Sequence, residues 1–147
     1  MEIKQIGKEE ANKYDEDIKI LLTDVLKKNK IKGMNVETIY SNMLMYIEDN
    51  SAIIIGAFDD EELLGFIWAY KIQKNRETRY HINYFIVKEE CRKNGVGTKL
   101  INEIYKMAKK NKIEKIELIV TEENNEAINF YSKQNFKFER ILLCKEI

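Results

Sequence analysis

An α/β fold of the mixed α+β kind, a central mixed β-sheet flanked by helices in the order β-α-α-β-β-β-α-β-α-β, is predicted by three features of this 147-residue sequence. Apolar residues recur at helical spacing in several stretches, with charged residues opposite them. Between these stretches lie short runs rich in Ile, Tyr and Phe, bounded by acidic or Asn-containing turns. One of those runs feeds directly into a glycine-containing junction and then a helix, Arg92-Lys93-Asn94-Gly95-Val96-Gly97-Thr98. At this length a single domain, 1–147, buries a sizeable core without disulfides or a structural metal.

The elements follow in chain order. Ile3 to Ile6 reads as a short strand, and Ile18, Leu21, Leu22, Val25 and Leu26 form the apolar stripe of a helix. Asn35 is a good N-cap for a second helix carrying Ile39, Met43, Tyr46 and Ile47. Ala52 to Phe58 and Leu63 to Ile72, joined by Asp59-Asp60-Glu61-Glu62, read as a hairpin with a bulge marked by Gly65. Tyr80 to Val87 is the strand entering the glycine junction, and Val96, Leu100, Ile104, Met107 and Ala108 line one face of the helix that leaves it. Ile116 to Val120 returns as a strand, Asn124 or Asn125 caps a short helix through Tyr131, and Phe138 to Cys144 makes a last strand. Strict alternation along the strand at 80–87 puts His81, Asn83, Phe85 and Val87 on one face, with Ile82, Tyr84 and Ile86 on the other.

Composition narrows the possible partners. Lys plus Arg and Asp plus Glu number 25 each, so no global field draws the chain to nucleic acid or to an anionic membrane. Cys91 and Cys144 lack metal-ligand spacing and are expected as reduced thiols. No basic start precedes an apolar run, and no apolar run is long enough to cross a bilayer, so a cytoplasmic location is expected. Lysines 106, 109, 110 and 112 crowd a helix C-terminus, where the dipole favours them and solvent explains them.

The glycine junction is the place for a local anion site. The first amides of a helix have no intrahelical acceptor, and the dipole makes that end partly positive. Gly95 and Gly97 remove side chains that would hold a phosphate away from those amides, while Arg92 and Lys93 add charge beside them. An isolated Gly-x-Gly is equally an ordinary strand-to-helix turn, so its surroundings decide.

Those surroundings resemble the GNAT superfamily of acyl-CoA-dependent N-acetyltransferases over the last two thirds of the chain. Arg92 to Gly97 is similar to the family's Arg/Gln-x-x-Gly-x-Gly/Ala pyrophosphate loop, which follows the fourth strand. Leu64-Gly65-Phe66 after an acidic turn also resembles the family, and Asn124-Asn125-Glu126-Ala127-Ile128-Asn129-Phe130-Tyr131 is similar to its Asn-x-x-Ala-x-x-x-Tyr segment. The resemblance implies a GNAT-like sheet and acetyl-CoA as cosubstrate, with no metal. Its diphosphate would lie on Arg92, Lys93, Asn94, Gly95, Val96, Gly97 and Thr98, and its pantetheine arm along the backbone of Phe85, Ile86 and Val87. Asn124 is a further candidate contact, although capping accounts for it equally.

Three positions depart from the family pattern. Glu89 stands where a proline is frequent, Asn135 replaces the glycine that ends the Tyr-x-x-x-Gly-Phe segment, and Ile119 takes the place of a glutamate that some members carry on the fifth strand. Asparagine tolerates a left-handed backbone best after glycine, so Asn135 preserves the geometry. Ile119 removes one common candidate base.

The implied chemistry is direct attack by a primary amine on acetyl-CoA in a ternary complex. An alkylammonium, with a reference pKa of about 10.4, must first lose a proton. His81, the only histidine, is the candidate base by resemblance, although a lone histidine is more simply an exposed or structurally hydrogen-bonded one. Tyr131 matches the family's general acid for the departing thiolate; its plainer role is aromatic packing. A carbonyl-polarising backbone amide near the end of the fourth strand would need no particular side chain. Met34, Tyr40, Met43, Trp68 and Tyr70 are conceivable acceptor-lining residues and equally conceivable core.

Other readings fit less well. A dinucleotide fold wants a third glycine where Leu100 stands, although Glu117 lies near the place of its acidic residue. A nucleoside-triphosphate loop fails on the order Gly97-Thr98-Lys99, and Cys91 has no evident base for nucleophilic work. The alternative from another class is a non-catalytic CoA-binding or regulatory module. A homodimer is the expected assembly if the chain associates at all.

Overall fold

The computed structural model describes all residues, 1–147. Five strands form one sheet in spatial order β1-β2-β3-β4-β5: β1 (Glu2–Gln5), β2 (Ala52–Asp59), β3 (Glu62–Lys74), β4 (Glu77–Val87) and β5 (Lys115–Leu118). The first four are antiparallel, and β5 joins β4 in parallel, so the sheet is mixed. The parallel step needs a long crossover, supplied by α4 (Val96–Lys110).

Each face of the sheet carries its own core. Helices α1 (Lys8–Lys13), α2 (Asp15–Lys28) and α3 (Val36–Glu48) cover one face, where Ile18, Leu22, Met43, Phe58, Phe66 and Trp68 are buried together. On the other face α4 sets Leu100, Ile101 and Ile104 against Ile55, Ile67 and Ile82. Burying each such aliphatic side chain contributes roughly 1.5–3 kcal/mol, which is how an evenly charged chain holds a sheet between two helical layers. Asn35 caps α3 by accepting hydrogen bonds from the amides of Glu37 (2.8 Å) and Thr38 (3.3 Å). α5 (Asn125–Lys133) is capped by Asn124, whose Oδ1 accepts from Ala127 N at 3.2 Å.

Four details differ from the sequence expectation. The helical region after β1 opens with a separate short helix, α1, because Gly7 is followed by Glu10, whose carboxylate returns to the Gly7 amide at 2.9 Å and starts a turn of its own. The bulge near Gly65 falls at Leu64, since Ala57 pairs with Gly65 and Phe58 with Leu63. Gly65 serves another purpose: a Cβ there would lie 2.6 Å from the Ile86 carbonyl oxygen, so only glycine lets β3 and β4 approach.

The strand expected at Phe138–Cys144 does not form. β5 is only four residues long, and the chain makes its last backbone hydrogen bond at Phe136 N to Tyr131 O, so the segment's peptide groups find no ladder. Phe138, Ile141, Leu142 and Leu143 are exposed as a result.

The fourth difference affects the site. Trp68 pairs with Tyr84 and Ala69 with Ile82, leaving Asn83 as an extra residue in β4. A bulge of this kind reverses which face later residues take. Tyr80 and Ile82 therefore share the α4 face with Phe85 and Val87, while Tyr84 and Ile86 pack toward α1–α3. His81, lying between Tyr80 and Ile82, is on the α1–α3 face, opposite Phe85 and Val87, and not beside them as unbroken alternation predicts.

Candidate active site

Beyond the pair Ile82–Leu118 the parallel ladder ends, and residues 83–87 of β4 continue with no strand on that side. The two strands thus part into a wedge whose open end leads to the glycine junction. Glu89–Cys91 form one 3-10 turn, and the chain then bends through Lys93 at φ 67° and Gly95 at φ 81° into α4. Lys93 and Gly95 both occupy the left-handed region, which glycine enters freely and lysine only at a cost.

The backbone amides of residues 93–98 donate to no acceptor in the chain; the first ordinary helical bond here is Lys99 N to Gly95 O at 3.0 Å. A Cβ on Gly95 would meet nothing within 4 Å, and the atoms nearest to one on Gly97 belong to the rings of Phe130 and Phe85, at 3.5 Å. The hollow over these amides is thus open, and its floor is aromatic. Arg92 lies beside it, its Nε donating to the Val87 carbonyl at 3.2 Å, and Lys93, Asn94 and Thr98 are exposed around the rim. Unpaired donors, a positive helix end and two missing side chains fit a diphosphate carried on a long arm. Phe85 faces that hollow, whereas Ile86 turns its side chain into the opposite core and has only its backbone to offer.

Tyr131 stands on α5 within a cluster of rings, its centroid 6.1 Å from Phe85, 5.4 Å from Phe130 and 5.4 Å from Phe136. Burial pushes its phenol well above the ordinary value of 10, so the hydroxyl keeps its proton throughout the neutral range. That hydroxyl has no partner in the chain, and no fully buried side-chain oxygen or nitrogen lacks one, so it reaches solvent. Asn135, at φ 67°, closes α5 in the left-handed conformation expected of it, and the Phe136 amide returns to the Tyr131 carbonyl at 2.9 Å. Asn124 spends its side-chain oxygen on the helix cap, leaving its amide group for other partners.

His81 and Tyr131 thus flank the wedge from opposite faces of the sheet. The imidazole lies against Tyr70, ring centroids 5.1 Å apart, and its Nδ1 is 2.7 Å from Glu117 Oε2 on β5. Glu117 is the residue the sequence reading missed: with Ile119 exposed outside the strand, the carboxylate of β5 comes from two positions earlier. Only the pairing register His81–Glu117 reveals it, a non-local fact with no local sequence signal. Behind it Arg79, 2% exposed, gathers three carboxylates. It donates to Glu77 Oε2 (2.7 and 3.1 Å), to Glu117 Oε1 (3.2 Å) and, through two nitrogens at 2.7 Å, to Glu139. Burial alone would push the Glu117 carboxyl up, yet hydrogen bonds from His81, Lys74 and Arg79 together hold it below the ordinary carboxylate value.

Of the conceivable acceptor-lining residues, Tyr40, Met43 and Trp68 are core, Tyr40 donating to the Ala11 carbonyl at 2.9 Å. Met34 and Tyr70 are exposed. Cys91 and Cys144 are free thiols, and burial raises the Cys91 thiol, which argues against a nucleophile there. No group of three or more His, Cys, Asp or Glu side chains is placed to hold a metal ion, and no helix is long and apolar enough to cross a membrane.

A family model described as Acetyltransferase (GNAT) family matches residues 21–136. No curated protein sequence matches the chain. Among solved structures, a point mutant of the BH1408 protein from Bacillus halodurans superposes with a TM-score of 0.88 at 19% identity, covering 100% of this chain and 99% of that one. A ribosomal-protein-alanine N-acetyltransferase from Brucella melitensis biovar Abortus gives 0.75 at 15% identity, with 100% of both chains covered. An aminoglycoside acetyltransferase from an uncultured soil metagenomic sample, solved with trehalose, gives 0.74 at 14% identity over 99% of this chain and 94% of the other.

Proposed function

The chain belongs to the GNAT acetyltransferase family and is an acetyl-CoA-dependent N-acetyltransferase, and we propose that it acetylates a primary amine by direct attack, with Tyr131 as general acid and His81 as base. Bound in the wedge, acetyl-CoA supplies an activated acetyl group as a thioester. The amides of residues 93–98 bind its diphosphate, and the free edge of β4 at 85–87 pairs with its pantetheine arm.

The acid and base act from opposite faces. His81 accepts the proton of the incoming ammonium on the α1–α3 side, where Tyr70 offers an aromatic wall that suits a cation. The freed nitrogen lone pair attacks the carbonyl and forms the C–N bond, the nitrogen sheds its second proton to solvent, the C–S bond breaks, and Tyr131 gives its proton to the departing sulfur on the α4–α5 side before recovering one from solvent. A phenol kept protonated by burial is in the right state for that delivery. The observation carrying this reading is the run of acceptorless amides at 93–98, placed where β4 loses its parallel neighbour.

The acceptor is a primary amine, and a panel holding a protein N-terminus, a polyamine, an amino sugar and a small amino acid derivative defines its class. Release of free thiol from acetyl-CoA that depends on one of these amines supports the proposal. Binding of CoA without turnover on any of them would reject it.

A further inference from the structure

We propose that Glu117 is a positioning residue that fixes the tautomer of His81, holding the proton on Nδ1 so that Nε2 is the nitrogen free to take a proton from the acceptor. The inference rests on His81 being the base of the reaction proposed above.

The two oxygens of Glu117 have separate partners. Oε1 accepts from Lys74 Nζ and Arg79 Nη1, both at 3.2 Å, while Oε2 faces His81 Nδ1 at 2.7 Å. An ionised carboxylate only accepts hydrogen bonds, so the neutral imidazole must present Nδ1–H to it. Nε2 then carries the lone pair. It has no partner in the chain, and since no fully buried side-chain nitrogen lacks one, it reaches the small part of the ring that solvent touches. The carboxylate cannot turn away to serve other groups, because two cations from β3 and β4 hold its second oxygen. Arg79 is itself held by Glu77 and Glu139, so the arrangement is fixed from three sides. The pair also sits one residue before the β4–β5 ladder ends at Ile82–Leu118, next to the mouth of the wedge.

This pattern makes a specific prediction for Glu117→Gln. Lys74 and Arg79 can only donate, so they claim the amide oxygen and leave the NH₂ group facing His81. That group donates to Nδ1, which must give up its proton, and the imidazole switches to Nε2–H. The nitrogen at the mouth of the wedge is then already protonated and cannot act as base. A purely structural pin between β4 and β5 would have no such consequence, since glutamine still makes the hydrogen bond.

The test uses ¹⁵N-histidine labelling, which reports one residue because His81 is the only histidine. At a pH where the imidazole is neutral, the wild-type spectrum is expected to show Nδ1 protonated and Nε2 bare, and Glu117→Gln to show the reverse. In the same variant kcat for acetyl transfer is expected to fall on the order of 10²-fold, with KM for acetyl-CoA within about twofold. A wild-type tautomer with the proton on Nε2 would overturn the inference, as would Glu117→Gln with the wild-type tautomer or with unchanged kcat. If Glu117→Gln does not fold, the wild-type spectrum alone decides. A chain that shows the expected tautomer but transfers acetyl to no amine would instead refute the reading of the reaction, so the two failures are separable.

Discussion

The proposed acid, Tyr131, is the residue with the sharpest test. Tyr131 is surrounded by Phe85, Phe130 and Phe136, and packing alone would account for its ring. Packing needs only the ring, and the hydroxyl makes no hydrogen bond within the chain, which leaves it free to meet a bound thioester. Tyr131→Phe is therefore expected to lower kcat by about 10- to 100-fold while leaving the acetyl-CoA dissociation constant within about twofold. Turnover at the wild-type rate in a steady-state thiol-release assay would assign the residue to packing. Tyr131 was open to sequence reading because its motif is local, eight residues from Asn124 to Tyr131. Glu117 was not, because its meaning lies in a parallel pairing with a residue 36 positions away. Asn83 shows the same limit: one extra residue in β4 inverts the faces, and no local pattern announces it.

Among the elements, the N-terminus of α4 separates stability from binding. Gly97 sits in the first turn of the helix, and an alanine Cβ there meets only ordinary contacts at 3.5 Å. Gly97→Ala is expected to stabilise the fold by up to ~1 kcal/mol through helix propensity, raising Tm by roughly 2–4 °C. Its methyl packs on the rings of Phe130 and Phe85, so acetyl-CoA binding is expected to stay within about twofold. Gly95→Ala, at φ 81° with open space around its Cβ, is instead expected to weaken binding about tenfold or more, which is ~1.4 kcal/mol. Thermal melts and calorimetry on the two variants separate the effects. The C-terminal segment gives a second element-scale prediction. Arg79, with a smaller contribution from Lys115, pulls the Glu139 carboxyl from an ordinary 4.5 down to about 2. A carboxyl lowered by folding stabilises above its unfolded value and loses that contribution as pH falls through the folded one. The Tm advantage of wild type over Glu139→Gln should thus be constant above pH 5, at about its neutral value, and narrow as pH falls from 4.5 toward 2. A gap independent of pH would mean that the ion pair does not tether this segment. Glu139 is half exposed, so solvent screening keeps the effect modest.

At the scale of the molecule, one sheet between two cores sets His81 on one face and Tyr131 on the other, with a gap between β4 and β5 connecting them. The helices and inner strands were legible because their apolar periodicity is strong and local, from the stripe Leu100–Ile104 in α4 to the run Leu63–Trp68 in β3. The final strand is the converse case: Phe138 to Cys144 has strand composition but makes no backbone hydrogen bond to the free edge of the four-residue β5. What unites the two faces is the cradle at 93–98, and its capacity to hold acetyl-CoA is the claim on which the rest depends. Isothermal titration of acetyl-CoA into wild type and into Gly95→Ala measures it directly. Saturable one-to-one binding to wild type, weakened about tenfold or more in the folded variant, is the predicted result. No heat with wild type, or the same affinity in both proteins, would contradict it.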